Sequence, residues 1–150
     1  MPRTRVHNMN ISLDGYAAGE HVTLDAPIGG AERLFKWFDG RVIHGVDKAD
    51  APVTLDRALT SMWSQGEVLR LAQEAAGGRD VRIGGGPSTL RQFLQAGLVD
   101  FMHLVIVPIT LGCGISLWEG TSGLEDHFTV ESVTSPSGLT HQLWNKNDHV

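Results

Sequence analysis

A single cysteine, Cys113, stands among 150 residues, which excludes an internal disulfide and any metal site assembled from several thiolates. No apolar run approaches the roughly 18 residues of a membrane-spanning helix, so no membrane partner is expected. Charged residues make up only 19 % of the chain and the net charge is −5. Without a Lys/Arg cluster, that balance argues against nucleic acid as a partner. The chain has no G-x-x-x-x-G-K-[ST] loop and no complete G-x-G-x-x-G fingerprint. Its seven histidines include no H-E-x-x-H or similar local pair, and Asp47 and Asp50 flank Lys48 as in a solvated loop, so no metal is expected. The opening MPRTRVHNMNISLDG is basic without an apolar core, unlike a secretory signal, and a cytoplasmic location is the expectation. Linkers, repeats and low-complexity tracts are missing too, which leaves residues 1–150 as one domain able to bury a core with its 41 % hydrophobic content.

What is present concentrates between Val81 and Asp100. Val81 and Ile83 close a short apolar strand. Gly84, Gly85 and Gly86 then allow positive φ and let a ligand approach without meeting a Cβ. Leu90, Phe93 and Leu94 trace a helical face that Gly97 ends, and Thr89 with Gln92 predicts a capping box at its start. A helix N-terminus opening onto a glycine turn favours an anion such as a phosphate or pyrophosphate. A strand-to-helix turn that needs glycine for packing alone fits the same residues.

The remaining pattern alternates strand and helix, which predicts an α/β fold. Val6 to Leu13 reads as a strand with His7, Met9, Ile11 and Leu13 on one face, turned by Asp14-Gly15. Helices are expected over Ala31 to Asp39, around Leu55, Ala58, Leu59 and Met62, and from Glu67 to Ala76, where Gly77-Gly78 stops the last. Phe101 to Val107 reads as a buried central strand completing a strand–helix–strand crossover with Val81. His127 to Val133 and Leu139 to Trp144 alternate around a Ser/Pro/Gly loop as an antiparallel hairpin, so the sheet is expected to be mixed and mostly parallel, flanked by helices.

Three blocks, NISLDGYAAG, RIGGGPSTLRQFLQAGLVDFMHLVIVPITLGCGISLWEG and VESVTSPSGLTH, together resemble the dihydrofolate reductase superfamily. The similarity is closest to its bacterial branch related to the reductase domain of riboflavin-biosynthesis deaminase-reductases. The resemblance implies a dihydrofolate reductase-like sheet and a homodimer. It also implies an NADPH-dependent hydride transfer to a pteridine or ribosylaminopyrimidine-like heterocycle. On this pattern the cofactor's phosphates meet Gly84, Gly85 and Gly86, with Pro87, Ser88 and Thr89 opening the helix beneath. The Ser12-Leu13-Asp14-Gly15 block enters the junction of nicotinamide and substrate, and Ala17 and Ala18 let a flat ring pass close. Asp14 is then the catalytic candidate, a carboxylate for a polar substrate edge or a proton relay. Its alternative is a turn residue bonded to its own backbone. Arg79, Arg82 and Arg91 are candidates for a ribose 2′-phosphate or, equally, for a solvated face.

The chain departs from the resembled family twice. Ile83 stands where the riboflavin branch often has an acid before its glycines. Between Ser61–Gly66 and the helix at Glu67, several dozen family residues, including a Gly-Arg segment that helps hold adenosine, are missing. Two readings follow: a compact NADPH-dependent reductase, or a catalytically impaired family remnant acting as a dimeric binding or structural protein. The shortened sheet is expected to leave edges for a dimer partner to cover, using apolar groups from Phe101 to Leu117, Trp118 and the C-terminal hairpin.

Overall fold

The structure, a computed structural model, describes residues 2–23, 25–26, 28–35, 53–55 and 64–148. Among these residues the centre is a six-stranded sheet in which β1 (Thr4–Ser12) lies between β4 (Val81–Ile83) and β5 (Phe101–Val107), parallel to both. Strand β3 (Val53–Leu55) extends the sheet parallel to β4. The hairpin of β7 (Phe128–Thr134) and β8 (Thr140–Lys146) extends the other side, with β8 antiparallel to β5. The order β3-β4-β1-β5-β8-β7 is the mixed, mostly parallel arrangement with a C-terminal hairpin that the alternation predicts. A separate ribbon pairs β2 (Tyr16–Ala18) antiparallel with β6 (Ile115–Ser116).

Helix α1 (Gln65–Ala76) begins two residues before the expected Glu67 because Ser64 caps it: the Ser64 hydroxyl accepts from the Glu67 N–H at 3.3 Å. It ends at Gly77, whose φ of 57° is the left-handed cap that glycine tolerates best. Helix α2 (Pro87–Gln95) starts at Pro87, not at Thr89. Proline is preset for the first helical position and has no N–H to leave unsatisfied there, so Gly86 becomes the N-cap and Thr89 sits buried in the first turn. The capping box with Gln92 therefore does not form; Gln92 instead accepts from the Gln65 amide at 2.7 Å. Both helices pack on one sheet face, where Val68, Leu69, Leu90, Phe93 and Leu94 meet Val6, Ile11, Met102 and Leu104. On the other face a short 3-10 turn, Glu32–Leu34, brings Ala31 and Leu34 onto Val105, Val107 and Leu139.

Several expectations are corrected. In an unbroken strand, residues of opposite parity face opposite ways, yet Val6 and Ile11 share one core. Asn8, at φ 55°, lies within a register shift between Val6 and Met9, and this bulge reverses the phase of β1. His7, Met9, Ile11 and Leu13 consequently do not share a face, and Leu13 is 63 % exposed. Leu55 is in a strand rather than a helix. The rest of that expected helix, and the part of the Ala31–Asp39 helix beyond Phe35, lie outside the described residues, as do Trp37 and Trp63. Among the described strands, β3 and β7 are the edges of the sheet, and every strand between them pairs on both sides. Leu117 is fully buried and so is not a free apolar surface, while the part-buried Trp118 stacks on Trp144 with centroids 5.5 Å apart. Exposure falls instead on β7, where only Phe128 is buried and Val133 is 64 % exposed. No helix among the described residues is long and apolar enough to cross a membrane.

Candidate functional site

The carboxyl end of β4, the middle of β1 and the start of α2 line a cleft of about 460 Å³. Gly84, Gly85, Gly86, Pro87, Ser88 and Thr89 form one wall, and Ala17 and Ala18 of β2 line it too, with His7 to Asn10 of β1, Arg82 of β4 and Ile115 of β6. The cleft thus lies beyond the carboxyl end of β4, the side of an open α/β sheet on which ligands bind.

The turn has two kinds of glycine. Gly85 has a φ of 125°, a conformation side-chain-bearing residues rarely adopt, so glycine is required there by the backbone. Gly86 is extended at φ −81°, ψ 178°, and a Cβ built on it meets nothing within 4 Å. Glycine at Gly86 therefore serves no packing purpose in the protein itself and leaves open the approach to the helix N-terminus. The N–H groups of Ser88 and Thr89, in the first turn of α2, have no partner within the helix. They are the donors of a small anion cradle, and the helix dipole adds to them.

The field at the cleft mouth has the same sign. Arg82 is exposed along it, and His7, which lines it, has its pKa lowered by burial and then by the Arg82 and Arg5 guanidinium groups. His7 therefore favours its neutral form, while Arg82 keeps the mouth positive for an anionic ligand.

Asp14 is not among the cleft-lining residues. It follows β1, and its carboxylate accepts the Leu111 N–H at 3.1 Å and the Gly112 N–H at 2.7 Å, as well as the Ser12 hydroxyl. The bond from Ser12 and those from the Gly112 and Leu111 N–H groups hold the pKa down to about 2. Asp14 thus ties the β1–β2 turn to the loop leading into β6, a longer reach than the local turn bond considered from sequence. Ser12, buried beneath, accepts from the Tyr16 N–H at 3.0 Å and so fixes the entry to β2.

In the sequence Asn10 stands out only as the start of an Asn10-Ile11-Ser12 sequon within a strand, with no place at the site. It is buried at 5 % exposure, lines the cleft and donates from Nδ2 to the Leu34 carbonyl at 3.3 Å. Because a carbonyl only accepts, that bond fixes the amide orientation and leaves Oδ1 as the acceptor end. The available signal was a second asparagine, two residues after Asn8, in an otherwise apolar strand end. Of the other arginines considered, Arg91 is engaged with the Ser116 carbonyl at 3.0 Å and Glu119 at 2.6 Å, and the Arg79 Nε bonds the Ala76 carbonyl at 3.0 Å. Neither lines the cleft.

A second cavity, about 360 Å³, lies between the end of α2 and the loop from Gly120 to Leu124. Lys146, its one lysine, is committed to the Gly97 carbonyl at 2.6 Å, and no predicted site residue reaches it. The glycine-turn cleft is the candidate site because it alone of the two joins an anion cradle to a strand junction.

Comparison with known proteins bears on this geometry. Residues 46–137 match the family model of the RibD C-terminal domain. No curated protein matches the sequence. Among solved structures, a protein assigned to riboflavin biosynthesis in Shewanella sp. PV-4 superposes with a TM-score of 0.56 at 21 % identity, over 97 % of this chain and 99 % of that one. A pyrimidine reductase-like protein of Corynebacterium diphtheriae gives 0.55 at 18 % identity, over 97 % of this chain and 92 % of that one. The riboflavin biosynthesis reductase of Saccharomyces cerevisiae gives 0.56 at 12 %, over 98 % and 89 %. At these identities the likeness is one of fold.

Proposed function

Because the chain belongs to the RibD C-terminal domain family, we propose that it is a reductase of the riboflavin-biosynthesis type that takes NADPH and reduces a ribosylaminopyrimidine-like or pteridine heterocycle. The observation supporting this most directly is that one cleft joins the Gly84–Thr89 cradle to the small residues Ala17 and Ala18 at the end of the first strand unit. The residues present fit a dinucleotide's phosphates: two first-turn N–H groups, an open approach over Gly86 and a cationic rim at Arg82. When bound, NADPH supplies a hydride for a carbon of the heterocycle.

The chain's own part is positional. The cradle binds the pyrophosphate, and Ala17 and Ala18 present no bulk to a flat ring. The Asn10 Oδ1 accepts from an amino or amide N–H in the cleft. Asp14 serves the substrate side by fixing the turn and the loop from Ile109 to Gly112 against each other, rather than by touching the reacting atoms.

Titration of NADPH into the purified chain, followed by nicotinamide fluorescence, tests the reading. Saturable binding with preference over NADH is expected. No binding at millimolar cofactor would instead favour the impaired, purely binding or structural homologue.

Asp14→Asn is expected to lower substrate turnover more than NADPH affinity, since the cradle lies elsewhere, and to lower the melting temperature at neutral pH. The pH dependence has a definite sign. A carboxyl whose pKa is held at about 2 in the folded chain, below its ordinary value, stabilises the fold at neutral pH and loses that contribution as pH falls toward 2. The gap in melting temperature between wild type and Asp14→Asn should therefore close between about pH 4 and about pH 2. A gap constant across that range would show that the carboxylate charge contributes nothing.

The chain is further proposed to form a homodimer through the C-terminal hairpin, where Val130 and Val133 are exposed on an edge strand. Sedimentation equilibrium at micromolar concentration should give twice the chain mass, and Val133→Lys should shift it toward the monomer. A wild-type monomer would dispose of the dimer.

A further inference from the structure

Away from the cleft, the sheet brings together two histidines 38 positions apart in sequence: the His103 Nε2 and the His141 Nδ1 are 3.1 Å apart, with ring centroids at 5.3 Å. The register accounts for this. His141 pairs with Val105 and His103 with Leu143, so the imidazoles are diagonal neighbours on one face of β5 and β8. Both are half-buried, which restricts the rings while leaving the face open to small solutes.

Two imidazole nitrogens so placed share one proton between neutral rings, and the proton's position is also one a metal ion can take. With metal–nitrogen bonds of about 2.0–2.1 Å, an ion bound to both atoms at the observed separation subtends an N–metal–N angle of about 98°. That lies between the cis-octahedral and tetrahedral values, so small ring tilts suffice.

The charges on the surrounding strands are mixed. On β1, Arg5 lies on the same face, paired with Asp80; the approach is ionic rather than an aligned hydrogen bond, since the Arg5 Nε finds no hydrogen-bond partner. Arg82 pairs beside Arg5 on β4, and His7 precedes the bulge on β1. On β7, Glu131 pairs with Leu143 and is therefore one diagonal step from His141 on this face, offering a carboxylate. No described group of three or more His, Cys, Asp or Glu side chains is already gathered around one point, so water must complete the coordination.

We propose that His103 and His141 form a two-imidazole site for a divalent transition-metal ion of the zinc, nickel or copper class, on the sheet face and separate from the glycine-turn cleft. Imidazole suits these ions, whereas magnesium and calcium prefer oxygen donors and should not compete. The site is independent of the reductase reading and survives its failure.

Calorimetric titration of the tag-free chain with zinc or nickel chloride at about pH 7.5 tests it. One saturable equivalent is expected, with a higher melting temperature in excess metal. His141→Gln and His103→Gln should each weaken binding by at least about tenfold, while His127→Gln, in the exposed 3-10 turn, should not. If His103→Gln fails to fold, His141→Gln, whose ring is part-exposed on β8, decides alone. No saturation at millimolar ion, or an unchanged affinity in His141→Gln, overturns the site and leaves the pair as a structural hydrogen bond.

Discussion

Gly86→Val should leave the fold's melting curve nearly unmoved while removing most of the NADPH affinity. The backbone at Gly86 is already extended, and a new Cβ meets nothing within 4 Å, so the native state accommodates valine without strain. Valine is a poorer N-cap than glycine by up to about 1 kcal/mol, but restricting the unfolded chain returns about 0.4–1 kcal/mol. The net change is near zero. The ligand meets a different situation, because the methyls project over the first turn of α2, where the phosphate must reach the Ser88 and Thr89 N–H groups. Each charge-assisted hydrogen bond lost costs about 1.5–3 kcal/mol, so affinity should fall by about tenfold for one bond and 100-fold or more for two. Gly85→Val supplies the contrast. Its Cβ would touch Thr89 at an ordinary 3.5 Å, but the φ of 125° is hostile to any side chain, so this variant should lose about 1–3 kcal/mol of stability as well as affinity. Paired melts and NADPH titrations separate the two effects. Wild-type affinity in Gly86→Val would mean that the turn shapes the chain only and that the phosphates bind elsewhere.

That contrast marks how far the sequence could be read. The three glycines were identifiable as a turn because nothing else in the chain concentrates conformational freedom between an apolar strand and an amphipathic helix. Their separate roles were not, because which glycine takes positive φ depends on Pro87 setting the helix start at its own position, and the Thr89–Gln92 pattern suggested a later one. Strand β5 and the hairpin were legible from continuous and alternating hydrophobicity, and they pair as that pattern suggested, although on β7 only Phe128 is buried. In β1 the alternation misled, because the bulge at Asn8 adds one residue and turns Asn10 and Ser12 away from the faces a regular strand would give them.

Long-range pairing hides most. Asp14 could be seen as a polar residue at a turn, but its partners lie 97 and 98 positions away. The His103–His141 pair appears only once β5 and β8 are set in register. The ribbon of β2 and β6 gives no periodicity at all, having three residues and two. Short strands of this kind are specified by what surrounds them, here by glycines that let two backbones cross.

Gly114→Ala is expected to show how strictly that crossing is specified. Gly114 immediately precedes β6, where Ile115 pairs with Ala18, and its φ of 134° already excludes ordinary side chains. A Cβ there would sit 2.2 Å from the Ala18 carbonyl oxygen, a backbone atom that cannot rotate aside. Strain at the disfavoured φ costs about 1–3 kcal/mol, and separating the two backbones adds about 1–3 kcal/mol of overpacking. The combined loss of about 2–6 kcal/mol lowers the melting temperature of a domain this size by about 4–24 °C. Ligand affinity should fall with it, because Ala17, Ala18 and Ile115 are the cleft wall opposite the glycine turn. Gly112→Ala is the matched control: its φ of 77° is also left-handed, but an added Cβ meets nothing within 4 Å. It should therefore cost only the conformational part, about 1–2 kcal/mol, with the cleft wall in place and binding retained. Equal melting temperatures for the two variants would mean that β2 and β6 do not cross as closely as this geometry requires, and the cleft would then lose the wall that brings Ala17 and Ala18 to the glycine turn.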